Sequence, residues 1–264
     1  MVPGASMGCV SAKVMTAYYN EIEPYCAQWL RNLIGAGLIA PGEVDERSIV
    51  DVRGDDLRSF TQCHFFAGIA GWSYALRLAG WEDDRPVWTG SCPCQPLSSA
   101  GQRKGHADER HLWPAFHRLI AERRPATVFG EQVASKDGRE WLAGVRADLE
   151  VLGYACGAAD LCAAGVSAPH IRQRLFWMAD SMCNGWEMRR NIHGTHDKTQ
   201  KQFKRGALAG TRSKAVEYDG ICEPPIQLLP HAVPNAMAEL RAYGNAIVAP
   251  LAAEFIGSFM ECQP

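Results

Sequence analysis

Short apolar runs alternate with amphipathic segments over most of this chain, and no other feature of the sequence restricts its fold as strongly. Runs of strand length end at glycine or polar residues, whereas longer segments between them repeat apolar residues at helical spacing. The predicted strands are Val14–Tyr19, Gln62–Gly68, Pro86–Thr89, Thr127–Phe129 and Leu175–Met178. The predicted helices are Tyr25–Leu38, Trp72–Leu78, Leu112–Arg123 and Glu140–Leu152. This alternation predicts an α/β fold with a mainly parallel sheet, in which ligands bind at the carboxyl ends of the strands.

The periodic pattern lapses from about Asp180 to Ala232, and a helical pattern resumes from Asn235 to Phe259. We therefore interpret residues 1–180 and 236–264 as one α/β domain, and residues 181–235 as a small inserted module. Residues 181–214 hold eight of the 27 basic residues and two of the 29 acidic ones, so this segment carries +6 and the rest of the chain −8. A basic segment on an acidic body favours a polyanion contact in one region, although a solvated loop would have the same composition.

Composition excludes several classes of protein. The chain is 47% hydrophobic and 21% charged, and no apolar run approaches the length of a membrane span. The first residues lack the pattern of a signal peptide, so we expect a cytoplasmic protein, and we expect it to be monomeric. The ten cysteines include no CxxC pair, and His193 with His196 forms only a weak HxxH motif, so we expect no metal site.

Cys94 is the first candidate for a catalytic residue. It follows a predicted strand, and Pro93 and Pro96 stiffen the backbone around it. A thiol becomes a nucleophile when helix N-termini, cations or hydrogen bonds lower its pKa. Taken alone, a cysteine in such a loop is more often a buried structural residue than a nucleophile.

Four segments together give a far more specific signal. In chain order these segments are Pro93–Gly101, Glu131–Val133, Pro169–Arg174 and Leu240–Pro250. In the same order they resemble four motifs of the cytosine-C5 DNA methyltransferases: the catalytic loop, the Glu-Asn-Val motif, the Gln-x-Arg-x-Arg motif and the closing motif. Gln132 replaces the usual Asn, and His170 replaces the usual Gln.

This resemblance implies a Rossmann-like S-adenosylmethionine-dependent methyltransferase fold, with helices on both faces of the sheet and a small target-recognition module. It implies that Cys94 attacks C6 of a flipped cytosine in duplex DNA. That addition makes C5 nucleophilic enough to accept a methyl group. Glu131 would hydrogen-bond the N3 and N4 edge and supply a proton, for which its pKa would need to be raised. Arg172 and Arg174 would steady the base and the active-site loop.

The expected DNA contacts fall into two groups. Gln95 and Ser98 belong to the catalytic loop. The basic residues of the inserted module would meet phosphates, while a few polar side chains read base edges. These basic residues are Arg189, Arg190, Lys201, Lys204 and Arg205.

The segment Phe65–Gly71 resembles the first motif of the family, a glycine-rich turn, with Ala70 where a glycine is usual. Phe66 would stack on adenine, and Gly68 and Gly71 would let the cofactor approach the backbone. In the ordinary family order, the second and third motifs follow this turn. Only 22 residues separate Gly71 from Cys94, which is too few to hold them.

Both missing motifs have counterparts upstream. Tyr19–Tyr25 resembles the second and Ser48–Val52 the third, which predicts a permuted order of motifs. Glu21 would then bind the ribose hydroxyls, with Ile22 and Asn245 as further cofactor contacts. Asp51 would contact the adenine amino group, with Asp45 as the alternative. Without permutation, the ribose ligand would come from Glu82, Asp83 or Asp84.

Three other functions stay open at this point. RNA cytosine methyltransferases share the fold. Thymidylate synthases use the same thiolate attack on a free nucleotide, although a mononucleotide needs no extended basic segment. An inactive DNA-binding relic is compatible with Ala70, Gln132 and His170, but both Cys94 and Glu131 are present.

Overall fold

The computed structural model describes residues 17–93, 112–181 and 244–263, and within these ranges the chain forms a seven-stranded sheet flanked by five α-helices. The strands are β1 (Ala17–Asn20), β2 (Gly42–Asp45), β3 (Gln62–Phe65), β4 (Val87–Gly90), β5 (Thr127–Val133), β6 (Ala155–Cys162) and β7 (Gln173–Asp180). The helices are α1 (Pro24–Gly35), α2 (Gly71–Leu78), α3 (Trp113–Arg123), α4 (Lys136–Val151) and α5 (Ala249–Glu261).

The order of strands in the sheet is β2-β1-β3-β4-β5-β7-β6. Strands β1 to β5 pair in parallel, whereas β7 runs antiparallel to both β5 and β6. The chain leaves β1 toward β2 but leaves β3 toward β4, so the topological switch point lies between the carboxyl ends of β1 and β3. Ligands of open α/β sheets bind in the crevice at such a point. The predicted α/β class is confirmed.

The sheet is buried on both faces, as expected for a parallel sheet covered by helices. Neighbouring residues of one strand enter opposite apolar layers: Val128 packs toward α3 and α4, and Phe129 toward α2 and α5. A smaller cluster below α1 contains Tyr19 and Leu30. These layers hold the carboxyl edge of the sheet in place and thereby position the loops that follow each strand.

Each of the predicted strands and helices has a counterpart, but β2 and β6 were not predicted. Strand β2 reads Gly-Glu-Val-Asp and β6 is rich in alanine and glycine, so neither shows an apolar run or clear alternation. Both are edge strands. Edge strands bury less apolar surface than central strands, so their sequences contain fewer apolar residues. Residues 14–16 of the first predicted strand, 182–235 of the inserted module and 236–243 of the returning helix lie outside the described residues.

No helix within the described ranges is both long enough and apolar enough to cross a membrane.

Candidate active site

The glycine-rich turn between β3 and α2 is strained. Phe66, Gly68 and Ala70 adopt φ values of 53°, 55° and 72°, in the left-handed region. For residues with a Cβ this conformation costs about 1–2 kcal/mol each, and such strain clusters at ligand sites. The backbone N–H of Ala67 donates to the carbonyl of Asn20 at 3.1 Å, so the turn is tied to the end of β1.

Gly68 and Gly71 have different roles in this turn. A Cβ built on Gly68 would meet no heavy atom within 4 Å, so the space above the backbone is open there. A Cβ on Gly71 would lie 2.5 Å from Cγ1 of Ile247. The turn therefore offers a ligand close approach at Gly68, whereas Gly71 makes room for the closing segment of the chain.

Glu21 directly follows β1 and faces this turn. Its Oε2 atom accepts a hydrogen bond from the N–H of Gly68 at 2.7 Å, and its Oε1 atom accepts one from the N–H of Glu23 at 2.9 Å. Burial raises the pKa of the Glu21 carboxyl, and the backbone hydrogen bonds offset part of that shift. The two motifs that the sequence placed in permuted order are thus in direct contact.

The two candidates for the adenine contact occupy different places. Asp45 ends β2 and is paired with Arg47 at 2.7 Å, while its Oδ2 atom also accepts from the hydroxyl of Tyr18 at 2.6 Å. Asp51 is exposed in a turn six residues later. Asn20 donates to the carbonyls of both Asp45 and Arg47, which fixes the start of the loop after β2. Only Asp45 therefore lies at the carboxyl end of a strand.

The loops after β1 and β2 expose apolar surface. Ile22 is 65% exposed and Val50 is 59% exposed, although both are large aliphatic residues. Phe66 is partly buried, with its ring edge-on to Phe116. These side chains and the open turn are suited to a flat, partly apolar ligand group.

The alternative ribose ligands lie at the wrong edge of the sheet. Glu82, Asp83 and Asp84 precede β4, so they are at the amino ends of the parallel strands. Asp83 is also paired with Arg77 at 2.7 Å. The geometry therefore supports Glu21 over these acids.

A second polar cluster lies where β5 and β7 pair. Glu131 of β5 is only 8% exposed and forms an ion pair with Arg174 of β7 at 2.7 Å, from Oε1 to Nε. Burial raises the pKa of Glu131, and the positive charges of Arg174 and Arg172 counteract that shift. Because β7 is antiparallel, its first residues meet the carboxyl end of β5. The sheet thus brings together three of the residues that the sequence selected.

Arg172 lies just before β7, and its side chain contacts the closing segment of the chain. Its Nη2 atom donates to the carbonyl of Gly244 at 3.0 Å and to that of Ala246 at 2.9 Å. Asn245, which stands between these carbonyls, is exposed.

The segment that enters the catalytic loop is anchored before it leaves the described residues. The side-chain amide of Gln132 donates to the carbonyl of Cys92 at 3.4 Å, and the indole N–H of Trp72 donates to Ser91 Oγ at 3.0 Å. Cys92 is 4% exposed, and burial raises the pKa of its thiol. It is therefore unsuited to be a nucleophile, although it lies only two residues before Cys94.

Eight of the predicted site residues lie outside the described residues. They are Cys94, Gln95, Ser98, Arg189, Arg190, Lys201, Lys204 and Arg205. The same holds for the HxxH pair His193 and His196. Within the described ranges no group of His, Cys, Asp and Glu could hold a metal ion.

Sequence reasoning missed two positioning residues. Asn20 anchors both the loop after β2 and the glycine-rich turn, and Ile247 covers Gly71. The asparagine directly after the predicted strand Val14–Tyr19 was a usable signal for the first. Nothing local to Ile247 indicates its contact, because that contact joins distant parts of the chain.

The switch point, the glycine-rich turn and the antiparallel β7 together define the Rossmann-like fold of S-adenosylmethionine-dependent methyltransferases. Within that class, the chain belongs to the C-5 cytosine-specific DNA methylase family, whose family model matches residues 82–216. The match begins after the glycine-rich turn.

Individual relatives agree over shorter stretches. The chain is 33% identical over 102 residues to Type II methyltransferase M.AplI of Arthrospira platensis, covering 38% of this chain and 30% of that protein. It is 32% identical over 97 residues to Type II methyltransferase M.HhaI of Haemophilus parahaemolyticus, covering 35% of this chain and 30% of that protein. The matches therefore span about 30% of the length of these curated relatives. The solved structure of S. pombe Dnmt2 methyltransferase is similar with a TM-score of 0.42 and 14% identity, covering 70% of this chain and 57% of that one.

Proposed function

We propose that this chain transfers a methyl group from S-adenosylmethionine to C5 of a flipped cytosine in duplex DNA. The observation that carries the proposal is the contact between Glu21 and the turn at Gly68, at the same edge of the sheet as the Glu131–Arg174 pair. The contact between Glu21 and the glycine-rich turn and the buried carboxyl of Glu131 thus lie along one edge of the sheet. Between them, the chain leaves β4 toward Cys94. Family membership supports the choice of reaction.

Cys94 is proposed as the nucleophile. Its thiolate adds to C6 of the cytosine, which makes C5 nucleophilic, and it leaves again when C5 loses its proton. We propose that the Glu131 carboxyl donates a hydrogen bond to N3 of the ring and accepts one from the N4 amino group. Because burial raises the pKa of Glu131, its carboxyl holds a proton more readily than an exposed glutamate does. Arg174 keeps that carboxyl in one orientation through the 2.7 Å ion pair.

S-Adenosylmethionine fits the site formed by Glu21 and the glycine-rich turn, and would supply the electrophilic methyl group. We assign the ribose hydroxyls to Glu21, since a carboxylate has about four acceptor sites and its bonds to the N–H groups of Gly68 and Glu23 leave acceptor capacity for a ligand. Ile22 and Phe66 would contact the adenine, Gly68 would allow close approach, and Asn245 would complete the site, while Gly71 accommodates Ile247 of the closing segment. For the adenine amino group, Asp45 has the strand-end position, but its carboxylate already accepts from Arg47 and Tyr18, so Asp51 stays the alternative.

Double-stranded DNA is the proposed partner. The charge of +6 over residues 181–214 supports a phosphate contact, and the contacting residues would be those predicted in the module and in the catalytic loop. The module boundaries of 181–235, the monomeric state and the cytoplasmic location stay predictions.

Trapping with 5-fluorocytosine tests the proposal. Fluorine at C5 blocks the final elimination, so duplex DNA that contains this base should accumulate a covalent adduct in the presence of S-adenosylmethionine. Cys94→Ala should form none, whereas Cys92→Ala should form as much as the parent because Cys92 is buried. An adduct that survives Cys94→Ala would refute the assignment. Methylation of transfer RNA but not of DNA would favour the RNA enzyme, and a parent inactive on both would favour the relic.

A further inference from the structure

The side chain of Arg172 connects two parts of the site that no strand pairing joins. Its backbone is fixed by the N–H of Ala163, which donates to the Arg172 carbonyl at 3.1 Å. Its Nη2 atom reaches across to the carbonyls of Gly244 and Ala246, 72 and 74 positions later in the chain. One guanidinium nitrogen thus holds the backbone on both sides of Asn245.

The segment held in this way touches the cofactor turn. Ile247 follows Ala246 directly, and its Cγ1 atom occupies the space where a Cβ of Gly71 would be. Gly71 is the first residue of α2 and lies three residues beyond Gly68. A shift of the segment 244–247 would therefore move atoms packed against the turn.

Arg172 also acts on the base side of the site. It stands two residues before Arg174, whose Nε atom pairs with Glu131 at 2.7 Å, and its positive charge acts to lower the pKa of that carboxyl. Arg172 thus donates hydrogen bonds to the closing segment and acts on the buried Glu131 through its positive charge.

We infer that Arg172 is a positioning residue that holds the segment Gly244–Ile247 against the glycine-rich turn, and so links cofactor binding to the base-binding side. This inference rests on the proposed function. If Arg172 only steadied the flipped base, its removal would not change cofactor affinity in the absence of DNA. The positioning role predicts that cofactor affinity falls even without DNA. Two carbonyls bound by one cation make a rigid connection, since both bonds must break before the segment can move.

Titration of S-adenosylhomocysteine into the DNA-free protein tests the link. Arg172→Ala should weaken binding about tenfold, which corresponds to ~1.4 kcal/mol. Ile247→Ala should weaken it too, and the double variant should lose less than the product of the single effects, because both act through one segment. Arg172→Lys should recover part of the loss, since an ammonium can still donate to a carbonyl. Arg146→Ala, which removes an exposed arginine of α4, is the matched control and should bind as the parent does.

Hydrogen exchange gives a second measurement that a purely structural role would not affect. S-Adenosylhomocysteine should slow exchange of the amides of residues 244–249 in the parent but not in Arg172→Ala, while melting temperatures confirm that each variant is folded. Unchanged affinity in Arg172→Ala, with a loss only in the turnover number on DNA, would overturn the inference. A parent that binds S-adenosylhomocysteine but methylates no DNA would overturn the proposed function and leave the link intact.

Discussion

Glu21 and Gly68 are joined by a hydrogen bond of 2.7 Å, from the N–H of Gly68 to the Oε2 atom of Glu21, across 47 positions of the chain. The carboxylate proposed to bind ribose therefore also positions the turn that the cofactor would approach. Removal of the Glu21 carboxylate should lower both the affinity for the cofactor and the free energy of unfolding. A residue that only binds the ligand, or only stabilises the fold, would change one of these two quantities.

Removal of Glu21 is the first prediction. Glu21→Ala should weaken binding of S-adenosylhomocysteine by about 1.5–3 kcal/mol, the usual worth of hydrogen bonds to a charged group, and should also lower the free energy of unfolding, because Gly68 and Glu23 lose their acceptor. Calorimetric titration and chemical denaturation measure the two effects. Asp83→Ala, which breaks the pair with Arg77 at the opposite edge, should retain parental affinity. Loss of affinity in Asp83→Ala with normal binding in Glu21→Ala would contradict the permuted order.

The second prediction concerns pH. Burial raises the pKa of Glu21, so its carboxylate is protonated at a higher pH than an ordinary glutamate. Affinity for S-adenosylhomocysteine should therefore fall as the pH is lowered through this raised pKa, because a protonated carboxyl loses acceptor capacity. The folded state takes up this proton more readily than the unfolded state, so protonation of Glu21 adds a stabilising increment, and this increment is lost as pH rises through the raised pKa. Glu21→Gln should remove the acid-side decrease in affinity, and an unchanged pH profile in that variant would count against Glu21.

A pair of glycine substitutions forms the third prediction. Gly68 and Gly80 both have positive φ, 55° and 78°, and a Cβ on either would meet no heavy atom within 4 Å. Each change to alanine should cost about 1 kcal/mol of unfolding free energy from backbone strain alone. Only Gly68→Ala should also reduce affinity for S-adenosylhomocysteine, by about tenfold or more (~1.4 kcal/mol), because its methyl group would enter the open space above the turn. Equal affinities in the two variants would show that no ligand approaches Gly68.

The fourth prediction tests the Glu131–Arg174 pair. Arg174→Ala leaves a buried carboxylate without its partner, which should cost up to about 3 kcal/mol at neutral pH. Loss of the positive charge raises the pKa of Glu131 further, so the deficit should shrink on acidification as the carboxyl takes up a proton. Denaturation at two pH values measures both effects. Arg139→Ala, which breaks the exposed pair with Asp160, should cost less than about 1 kcal/mol, and a similar cost for Arg174→Ala would show that Glu131 is well solvated.

Individual residues show how far the sequence could predict the site. Glu21, Phe66 and Glu131 were selected because they belong to local motifs, and the structure places each at the carboxyl edge of the sheet. That Asp45 rather than Asp51 ends a strand was not visible in the sequence, because β2 is a four-residue edge strand with two acids and no apolar run. Gly71 was assigned to the cofactor on the basis of its motif, but the neighbour it accommodates is Ile247.

The sequence by itself determined the α/β class, the family and the residue types of the site, because hydrophobic periodicity and catalytic motifs are properties of short segments. The tertiary structure decided which segments are neighbours. Asn20 of β1 pairs with Phe65 of β3, and Arg172 donates to the carbonyl of Gly244. No local sequence pattern predicts either contact. Strand order arises from how all the helices and strands bury their apolar faces together. The meeting of Glu21 with the glycine-rich turn is therefore a consequence of the whole fold.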